Sequence, residues 1–372
     1  MAMSVTASFV QRLLLPGLAF KAVVIGGGYA TGRELAEFFL PSGPRGGLLG
    51  LLLSMVLWSV ICTLTFLFAR LTNSLDYRTF FQKLLGPFWI SYEIAYFAFI
   101  VLLLSVFGAA AGELGKAVFG WPTSAGTLCL VAGIAFFVSY GNDSVERLFK
   151  YVSFFLYAVY GVFLLLAFLR FGNRISHSFA VDVPIDGWAS GAITYTGYNI
   201  IGAVVILPVL RHMTSRKDAV IAGMLCGPLA MIPAIIFFIC MAAYYPQIGG
   251  EALPSNFLLE RIDLRGFQIV FQLMVFAALL ESGSGAIHAI NERVASAYAA
   301  RHARPLSPKA RLGVTGVLLF VSLFLAGRFG FVALIAKGYG TLAYVFLAIY
   351  VVPLLTYASY RIFTAMAKDE VS

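Results

Sequence analysis

The sequence has 372 residues, of which 60% are hydrophobic and 12% are charged, and its mean hydropathy is +0.90. A soluble domain carries about 25% charged residues, so this chain cannot cover itself with a polar surface. The formal net charge of +9 is typical of some nucleic-acid-binding proteins, but the basic residues are scattered between apolar runs and line no amphipathic face, which excludes a nucleic-acid partner.

Apolar runs of about 18 to 25 residues, long enough to cross a hydrocarbon layer about 30 Å thick, follow one another along the chain. They predict ten transmembrane helices, separated by breakers such as Pro41-Ser42-Gly43-Pro44 and Gly86-Pro87. The first run is too long for the core of a signal peptide and is predicted to be helix one. The predicted spans are 15–40, 46–70, 88–115, 122–140, 147–170, 188–211, 217–241, 264–291, 310–328 and 331–360.

The basic residues also predict an orientation. If the N-terminus is cytoplasmic, more than twice as many Lys and Arg residues fall in the loops on the cytoplasmic side as on the other. An even number of spans then places both termini in the cytoplasm. The cysteines lie inside apolar runs at unrelated spacings, which predicts packing residues and neither a disulfide nor a metal site. They are Cys62, Cys129, Cys226 and Cys240.

The single transmembrane domain of residues 1–372 divides into two sets of five helices, residues 12–172 and 187–362. Because each set holds an odd number of helices, the second enters the membrane upside down, which is the geometry of an inverted repeat. The first helix of each set contains a polar or glycine-rich run. These runs are Gly26-Gly27-Gly28-Tyr29-Ala30-Thr31-Gly32 in helix one and Thr194-Tyr195-Thr196-Gly197-Tyr198-Asn199 in helix six.

Three consecutive glycines weaken a helix by about 1 kcal/mol each relative to alanine, and they free backbone groups that hydrocarbon cannot satisfy. Interrupted helices at matching positions of two repeats predict the central binding site of a transporter. The competing interpretation is close helix packing, since Gly28 and Gly32 form a small-xxx-small pair. The predicted solute ligands are Gly26, Gly27, Gly28, Tyr29, Thr31, Tyr195, Thr196, Gly197, Tyr198 and Asn199.

A charged side chain at the bilayer centre costs about 2.5 to 3.5 kcal/mol, so each one should face a cavity or a partner. Glu281 lies far from either end of helix eight and precedes the polar residues Ser282 and Ser284. It binds Na⁺ together with Ser282, carries a coupling proton, or forms a fixed ion pair with Lys21 or another charged residue of helix one. Lys21 is that partner, a proton carrier that replaces sodium, or a side chain that snorkels to the interface.

The other charges within the spans are predicted gates, or else side chains satisfied near the membrane surface. Arg33, Glu34 and Glu37 follow the glycines within two turns, where their spacing places pairs on one helical face. They line an outer vestibule or satisfy one another. The gate candidates are Arg33, Glu34, Glu37, Glu93, Tyr96 and Lys337.

Three segments carry a family resemblance. They are the run from Gly26 to Glu34 with Phe38-Phe39, the run Glu281-Ser282-Gly283-Ser284-Gly285, and Asn291-Glu292-Arg293. They resemble the YkvI-like bacterial membrane proteins, and the five-plus-five pattern resembles the LeuT-like arrangement of the amino acid–polyamine–organocation superfamily. The resemblance covers the whole chain in topology, and its specific motifs lie in helices one and eight. It implies an all-α transporter fold in the bacterial inner membrane.

In LeuT-like sodium symporters, the middle of helix eight supplies hydroxyl ligands to a sodium ion bound against the break in helix one. The resemblance therefore implies a Na⁺ site at Glu281 and Ser282, with a carboxylate where a hydroxyl residue is expected. The sequence contains no HExxH, no GxSxG and no paired Cys/His set, so we expect no enzyme and no resident cofactor.

The predicted function is secondary transport of a small polar solute by alternating access, coupled to Na⁺ or H⁺. An amino acid, or a related zwitterion or carboxylate, is expected from the resemblance and because half-helix ends favour a carboxylate. The expected partners are the solute and the lipid bilayer, and the sequence identifies no protein partner. The alternatives are an ion channel, which would show conductance without solute exchange, and an assembly protein, which would bind no solute.

Overall fold

A computed structural model describes residues 8–24, 27–139, 142–302 and 304–371. The described part of the chain is helical and contains no strand. Its helices are α1 (Leu15–Val24), α2 (Gly27–Thr31), α3 (Arg33–Phe38), α4 (Gly43–Leu71), α5 (Tyr77–Leu85), α6 (Trp89–Phe119), α7 (Thr123–Ser139), α8 (Asn142–Ala180), α9 (Trp188–Asn199), α10 (Ile201–Val205), α11 (Arg216–Ala242), α12 (Pro254–Ile262), α13 (Arg265–His302), α14 (Pro308–Phe329), α15 (Phe331–Ala333), α16 (Gly340–Phe346) and α17 (Ser359–Val371). π-Helical turns join α15, α16 and α17 into one long segment.

Seven segments among the described residues are long and apolar enough to cross a membrane. They are Leu40–Leu71, Tyr77–Phe119, Phe155–Ala180, Arg216–Ala242, Arg265–Ala299, Pro308–Phe329 and Phe331–Ala367. Each matches one predicted span. The other three predicted spans map to α7, which has 17 residues, and to two interrupted segments, α1 to α3 and α9 to α10. The chain is therefore a multi-pass helical membrane protein, as predicted.

Helix one is interrupted, as the glycine run predicted. α1 ends at Val24 and α2 begins at Gly27, while Gly26 lies outside the described residues. A second irregularity follows at Gly32, whose φ of +79° separates α2 from α3. A side chain would not fit there, because a Cβ atom on Gly32 would lie 2.8 Å from the ring of Phe237. The chain therefore turns at Gly32 in the middle of helix one.

Helix six is interrupted later than the sequence predicted. The polar run from Thr194 to Asn199 is regular helix, and α10 starts after Ile200. Thr194 Oγ1 donates to the Ser190 carbonyl at 2.9 Å, and Asn199 Nδ2 donates to the Tyr195 carbonyl at 3.2 Å. Since these side chains bond back to their own helix, they add bonds to it instead of breaking it. The irregular turn is confined to the end of the run.

The helices pack in two sets of four. The first set is α1, α4, α9 and α11, and the second set is α6, α7, α13 and α14. α8 contacts α11 of the first set and α13 of the second, and α16 contacts α9 and α6. The interrupted parts of helices one and six therefore lie where the two sets meet.

Two glycines bring α11 into backbone contact with α4. A Cβ atom on Gly223 would lie 2.5 Å from Oγ1 of Thr63, and one on Gly227 would overlap the carbonyl oxygen of Met55. Ser59 Oγ also donates to a backbone carbonyl of α11 at 2.9 Å. This pair, Gly223 and Gly227, is named the glycine seam. Its four-residue spacing is the pattern by which membrane helices approach closely.

Candidate functional site

A cavity of about 380 Å³ lies between the two sets of helices, beside the interruptions of helices one and six. Both sets contribute walls, so any relative movement of the two sets changes its shape. Most of the lining is apolar, with a few polar groups, as in ligand pockets generally. The polar and aromatic lining residues are Tyr29, Glu34, Tyr96, Phe99, Phe107, Tyr198, Asn199, Glu281, Ser282 and Tyr339.

Glu34 lies in this cavity and not in an outer vestibule. Its side chain is buried, and Oε2 accepts a hydrogen bond from the Tyr198 hydroxyl at 2.7 Å. The Tyr198 ring stacks on Tyr339, with centroids 4.5 Å apart and an interplanar angle of 16°. Among the ion pairs of the described residues, none includes Glu34. A carboxylate and two tyrosines therefore form one edge of the cavity.

Tyr29 is the predicted ligand of helix one that reaches the cavity. It is buried, and its hydroxyl has no hydrogen-bond partner in the described part of the chain. A polar group left unpaired in an apolar interior costs about 1 to 3 kcal/mol, so this hydroxyl is available to a ligand. Gly27 and Gly28 begin α2 just before it. Thr31 is buried beyond the cavity wall, where its Oγ1 accepts from the Arg33 amide at 3.3 Å.

The polar run of helix six is divided between cavity and core. Tyr198 and Asn199 line the cavity, whereas three other predicted ligands lie behind its wall. The Tyr195 ring packs 5.5 Å from that of Trp58, and Gly197 is pressed against α16, where a Cβ atom would lie 2.9 Å from the carbonyl oxygen of Ala343. The three residues behind the wall are Tyr195, Thr196 and Gly197.

Glu281 and Ser282 line the α13 wall of the cavity, as a coupling site requires. Lys21 does not line it. The Lys21 ammonium lies 4.2 Å from the centroid of the Tyr157 ring, and Tyr157 is also close enough to Glu281 to interact with it electrostatically. Within the described residues Lys21 and Glu281 form no direct ion pair. The structure therefore brings both predicted coupling groups near the same tyrosine.

Arg33 directly precedes Glu34 at the α3 end of the cavity and anchors helix one to a neighbouring loop. Its guanidinium donates to the carbonyl oxygens of Gly249 and Glu251, each at 2.9 Å, and it pairs with Glu37. Both carbonyls belong to the loop that leads into α12, and Arg33 is buried by the contact. The predicted Arg33–Glu37 pair is present. In addition, Arg33 ties helix one to this loop.

We expect Arg33→Gln to open this end of the cavity. Glutamine cannot supply the charge or the forked donors, and each hydrogen bond to a charged group stabilises the closed state by about 1.5 to 3 kcal/mol. Ser255, buried at the start of α12, is a suitable reporter. In a Cys129→Ser background, the thiol introduced by Ser255→Cys should react with a water-soluble maleimide at least about tenfold faster when Arg33→Gln is added.

The matched control is Arg45→Gln. Arg45 also donates to a backbone carbonyl, that of Phe179 at 2.9 Å, but it lies at the start of α4 and does not contact α12. The labelling rate should stay unchanged in this control. An equal rate with and without Arg33→Gln would show that the arginine does not hold the loop closed.

An arginine that sequence reasoning missed lies at the other end of the cavity. Arg293 of α13 lies over the rings of Tyr77 and Tyr96, with its Cζ 3.6 and 3.5 Å from their centroids. It is 3.6 Å from Oε1 of Glu93, which also accepts from the Tyr77 hydroxyl at 3.3 Å. Since Tyr96 lines the cavity, this cluster joins α5, α6 and α13 at the cavity wall. The sequence feature that could have identified Arg293 is the segment Asn291-Glu292-Arg293, which also carries the family resemblance.

A second charged contact ties the start of helix one to α11. Arg12 donates to both carboxylate oxygens of Asp218, at 3.0 and 2.7 Å, and Asp218 forms a capping box with Ser215 at the start of α11. The remaining gate candidate, Lys337, is exposed in the π-helical turn before α16 and does not line the cavity. Arg33 therefore ties helix one to the loop before α12, Arg12 ties it to α11, and Arg293 lies beside the cavity wall at Tyr96.

No family model matches the sequence. The uncharacterized membrane protein YkvI of Bacillus subtilis (strain 168) is 22% identical over 339 residues, covering 89% of this chain and 92% of that protein. Among solved structures, a Na⁺-coupled sialic acid symporter in a substrate-bound outward-open state superposes with a TM-score of 0.62 and 12% identity, over 92% of this chain and 78% of the other.

Two further structures are similar. MhsT in complex with L-phenylalanine gives a TM-score of 0.57 and 16% identity over 97% of this chain and 98% of the other. The manganese transporter of Eremococcus coleocola gives a TM-score of 0.57 and 14% identity over 95% of this chain and 83% of the other. The names of two of these three structures describe a symporter and a transporter. The chain is thus similar to YkvI and has the LeuT-type fold, which confirms both the predicted resemblance and the predicted fold.

Proposed function

We propose that this protein is a secondary transporter that moves a small polar solute across the bacterial inner membrane by alternating access. The observation that carries the proposal is the cavity between the two sets of helices, which is bordered by the interrupted helices one and six. A site enclosed by two movable sets of helices is what alternating access needs. The similar structures support this mechanism, since their names describe carriers of sialic acid and of manganese and a complex with L-phenylalanine.

The loop charges support a cytoplasmic N-terminus. On that orientation, the Arg33 contact closes the outer end of the cavity. Ala22 and Val23, which precede the interruption of helix one, line the cavity together with Ala289 of α13, so it extends toward the cytoplasm. The arrangement supports an inward-facing state of the transporter.

Coupling to Na⁺ or H⁺ is proposed at Glu281 and Ser282. A hard cation prefers oxygen ligands, which both side chains offer, and a mid-membrane carboxyl group also carries a proton readily. Lys21 lies near the same tyrosine, Tyr157, that interacts with Glu281, which supports a role for Lys21 close to the coupling site. The substrate class predicted from the sequence, an amino acid or a related zwitterion, fits a cavity of this size.

A ligand screen followed by a transport assay tests the proposal. Purified protein is heated with amino acids and related metabolites, with and without Na⁺ and at two pH values. A ligand at 100 times its dissociation constant adds about 2.7 kcal/mol of stability. Solutes that stabilise the protein are then loaded into proteoliposomes. We expect exchange of labelled solute that depends on Na⁺ or on pH.

Two outcomes contradict the proposal. Ion conductance without exchange of any stabilising solute would identify a channel. Stabilisation by no solute and no ion across the screen would favour an assembly protein.

A further inference from the structure

The charges that line the cavity have one sign. Two lining residues, Glu34 and Glu281, are acidic, and no Arg, Lys or His is among the lining residues of the described chain. The nearest basic residue in sequence, Arg33, is engaged with the Gly249 and Glu251 carbonyls. An anionic group beside Glu34 would therefore meet like charge and, among the described lining residues, no cationic side chain.

Glu34 keeps most of its hydrogen-bonding capacity. The bond from Tyr198 is the one hydrogen bond that it receives in the described part of the chain, whereas an ionised carboxylate has about four acceptor sites. The group is 5% exposed, so bulk water does not compensate for the missing bonds. A buried carboxylate with spare capacity requires a donor, and a cationic donor suits it best.

Aromatic rings form much of the remaining wall. Tyr29, Tyr96, Phe99 and Tyr339 all line the cavity, in addition to the Tyr198 that bonds Glu34. The faces of such rings attract cations within about 6 Å of their centroids, and their bulk accommodates apolar groups. Helix α2 has five residues, so its start adds little dipole to attract an anion.

We propose that the cavity recognises its solute through a cationic amino group held by Glu34 and the surrounding aromatic rings, and that it needs no carboxylate on the solute. The substrate class is a small amine with an apolar body, of which amino acids are the members that add an unneeded carboxylate. This inference rests on the proposed function, because it names what the transporter carries.

Matched sets of three compounds test the inference on the unmodified protein. One set is L-phenylalanine, 2-phenylethylamine and 3-phenylpropionate, and parallel sets are built on leucine and tryptophan. Each compound is titrated by calorimetry against the full-length protein. We expect at least one amine to bind as tightly as its parent amino acid or more tightly, and the matching acid to bind at least about tenfold more weakly. Binding of an acid without its amine, of amino acids alone, or of no amine in any set overturns the inference.

Glu34→Gln provides the second test. It keeps the size of the side chain and an acceptor for Tyr198, but it removes the charge, so the affinity for the best amine should fall at least about tenfold. Glu113→Gln is the control, because Glu113 lies on α6 away from this cavity. Unchanged amine affinity in a folded Glu34→Gln protein overturns the inference. If that variant does not fold, the matched sets of compounds, which use the unmodified protein, still test the inference.

The two proposals fail in different experiments. If acids are bound and exchanged across proteoliposomes under an ion gradient, the protein is a transporter and the amine inference is wrong. If amines bind with the expected preference but no solute is exchanged, the recognition stands and the proposed transport is wrong.

Discussion

Glu281→Gln is expected to reduce coupled uptake by about 10- to 100-fold while leaving a folded protein, because interactions with a charged group contribute about 1.5 to 3 kcal/mol. The substitution preserves the shape of the α13 wall and removes the group proposed to hold Na⁺ or a proton. Solute accumulation in proteoliposomes, driven by a Na⁺ gradient or a pH gradient, measures the loss. A Na⁺ site predicts that stimulation by Na⁺ disappears, and a proton site predicts that exchange persists without gradient-driven accumulation.

Glu292→Gln is the matched control on the same helix. Glu292 pairs with Arg311 at the end of α13 and does not line the cavity. Exposed ion pairs contribute about 0 to 1 kcal/mol, so uptake should remain close to that of the unmodified protein. Full retention of coupling by Glu281→Gln would remove Glu281 from the mechanism and leave Ser282 and Lys21 without a carboxylate to act through.

Gly227→Ala is expected to destabilise the protein by about 2 to 3 kcal/mol, the upper part of the range for overpacking. The added methyl group would overlap the carbonyl oxygen of Met55, and a backbone atom cannot move aside as a flexible side chain can. α11 and α4 must therefore separate, and the hydrogen bond from Ser59 across the same contact lengthens. Thermal unfolding in detergent, compared at equal protein concentration, measures the effect.

The control is Gly316→Ala on α14, where no atom lies within 4 Å of the added Cβ position. Alanine is the better helix former by about 1 kcal/mol, so this variant should be as stable as the parent or more stable. Opposite signs for one substitution at two glycines would establish that the seam contact determines the loss. Equal stability of the two variants would mean that α4 and α11 do not touch through their backbones.

Apolar runs and breakers were sufficient to predict the fold, because the bilayer sets the length of each span and the interruptions follow from glycine composition. The interruption of helix six lies at Ile200, directly after the polar run and not within it. Composition shows that polar groups are present, but it does not show that Thr194 and Asn199 bond back to their own helix.

The placement of Glu34 could not be predicted from residue spacing along a helix. Arg33, Glu34 and Glu37 were grouped by assuming one continuous helix, and the Arg33–Glu37 pair fits that assumption. The turn at Gly32 re-aims the segment, so Arg33 reaches the loop while its neighbour Glu34 faces the cavity. Glycine permits a positive φ, but its presence in a sequence does not show that it adopts one. The direction of the helix after Gly32 was therefore not predictable.

Contacts between helices that are distant in the chain could not be predicted from the sequence either. Arg293 meets Glu93 across 200 positions of chain, and Tyr339 meets Tyr198 across more than 100. The glycine seam could have been predicted from the sequence, because Gly223 and Gly227 repeat the four-residue spacing that was considered at Gly28 and Gly32. The spacing indicates that a helix can be approached closely, and the partner helix becomes known only from the fold.

The glycine seam limits how the protein can deform. Two helices in backbone contact cannot slip lengthwise without first separating, so α4 and α11 behave as one rigid body. One of them comes from each half of the chain, and the seam therefore ties the halves together while leaving the two sets of four helices joined by looser contacts. We expect flexing to be concentrated in the short pieces around Gly32 and Ile200, which lie between regular helices.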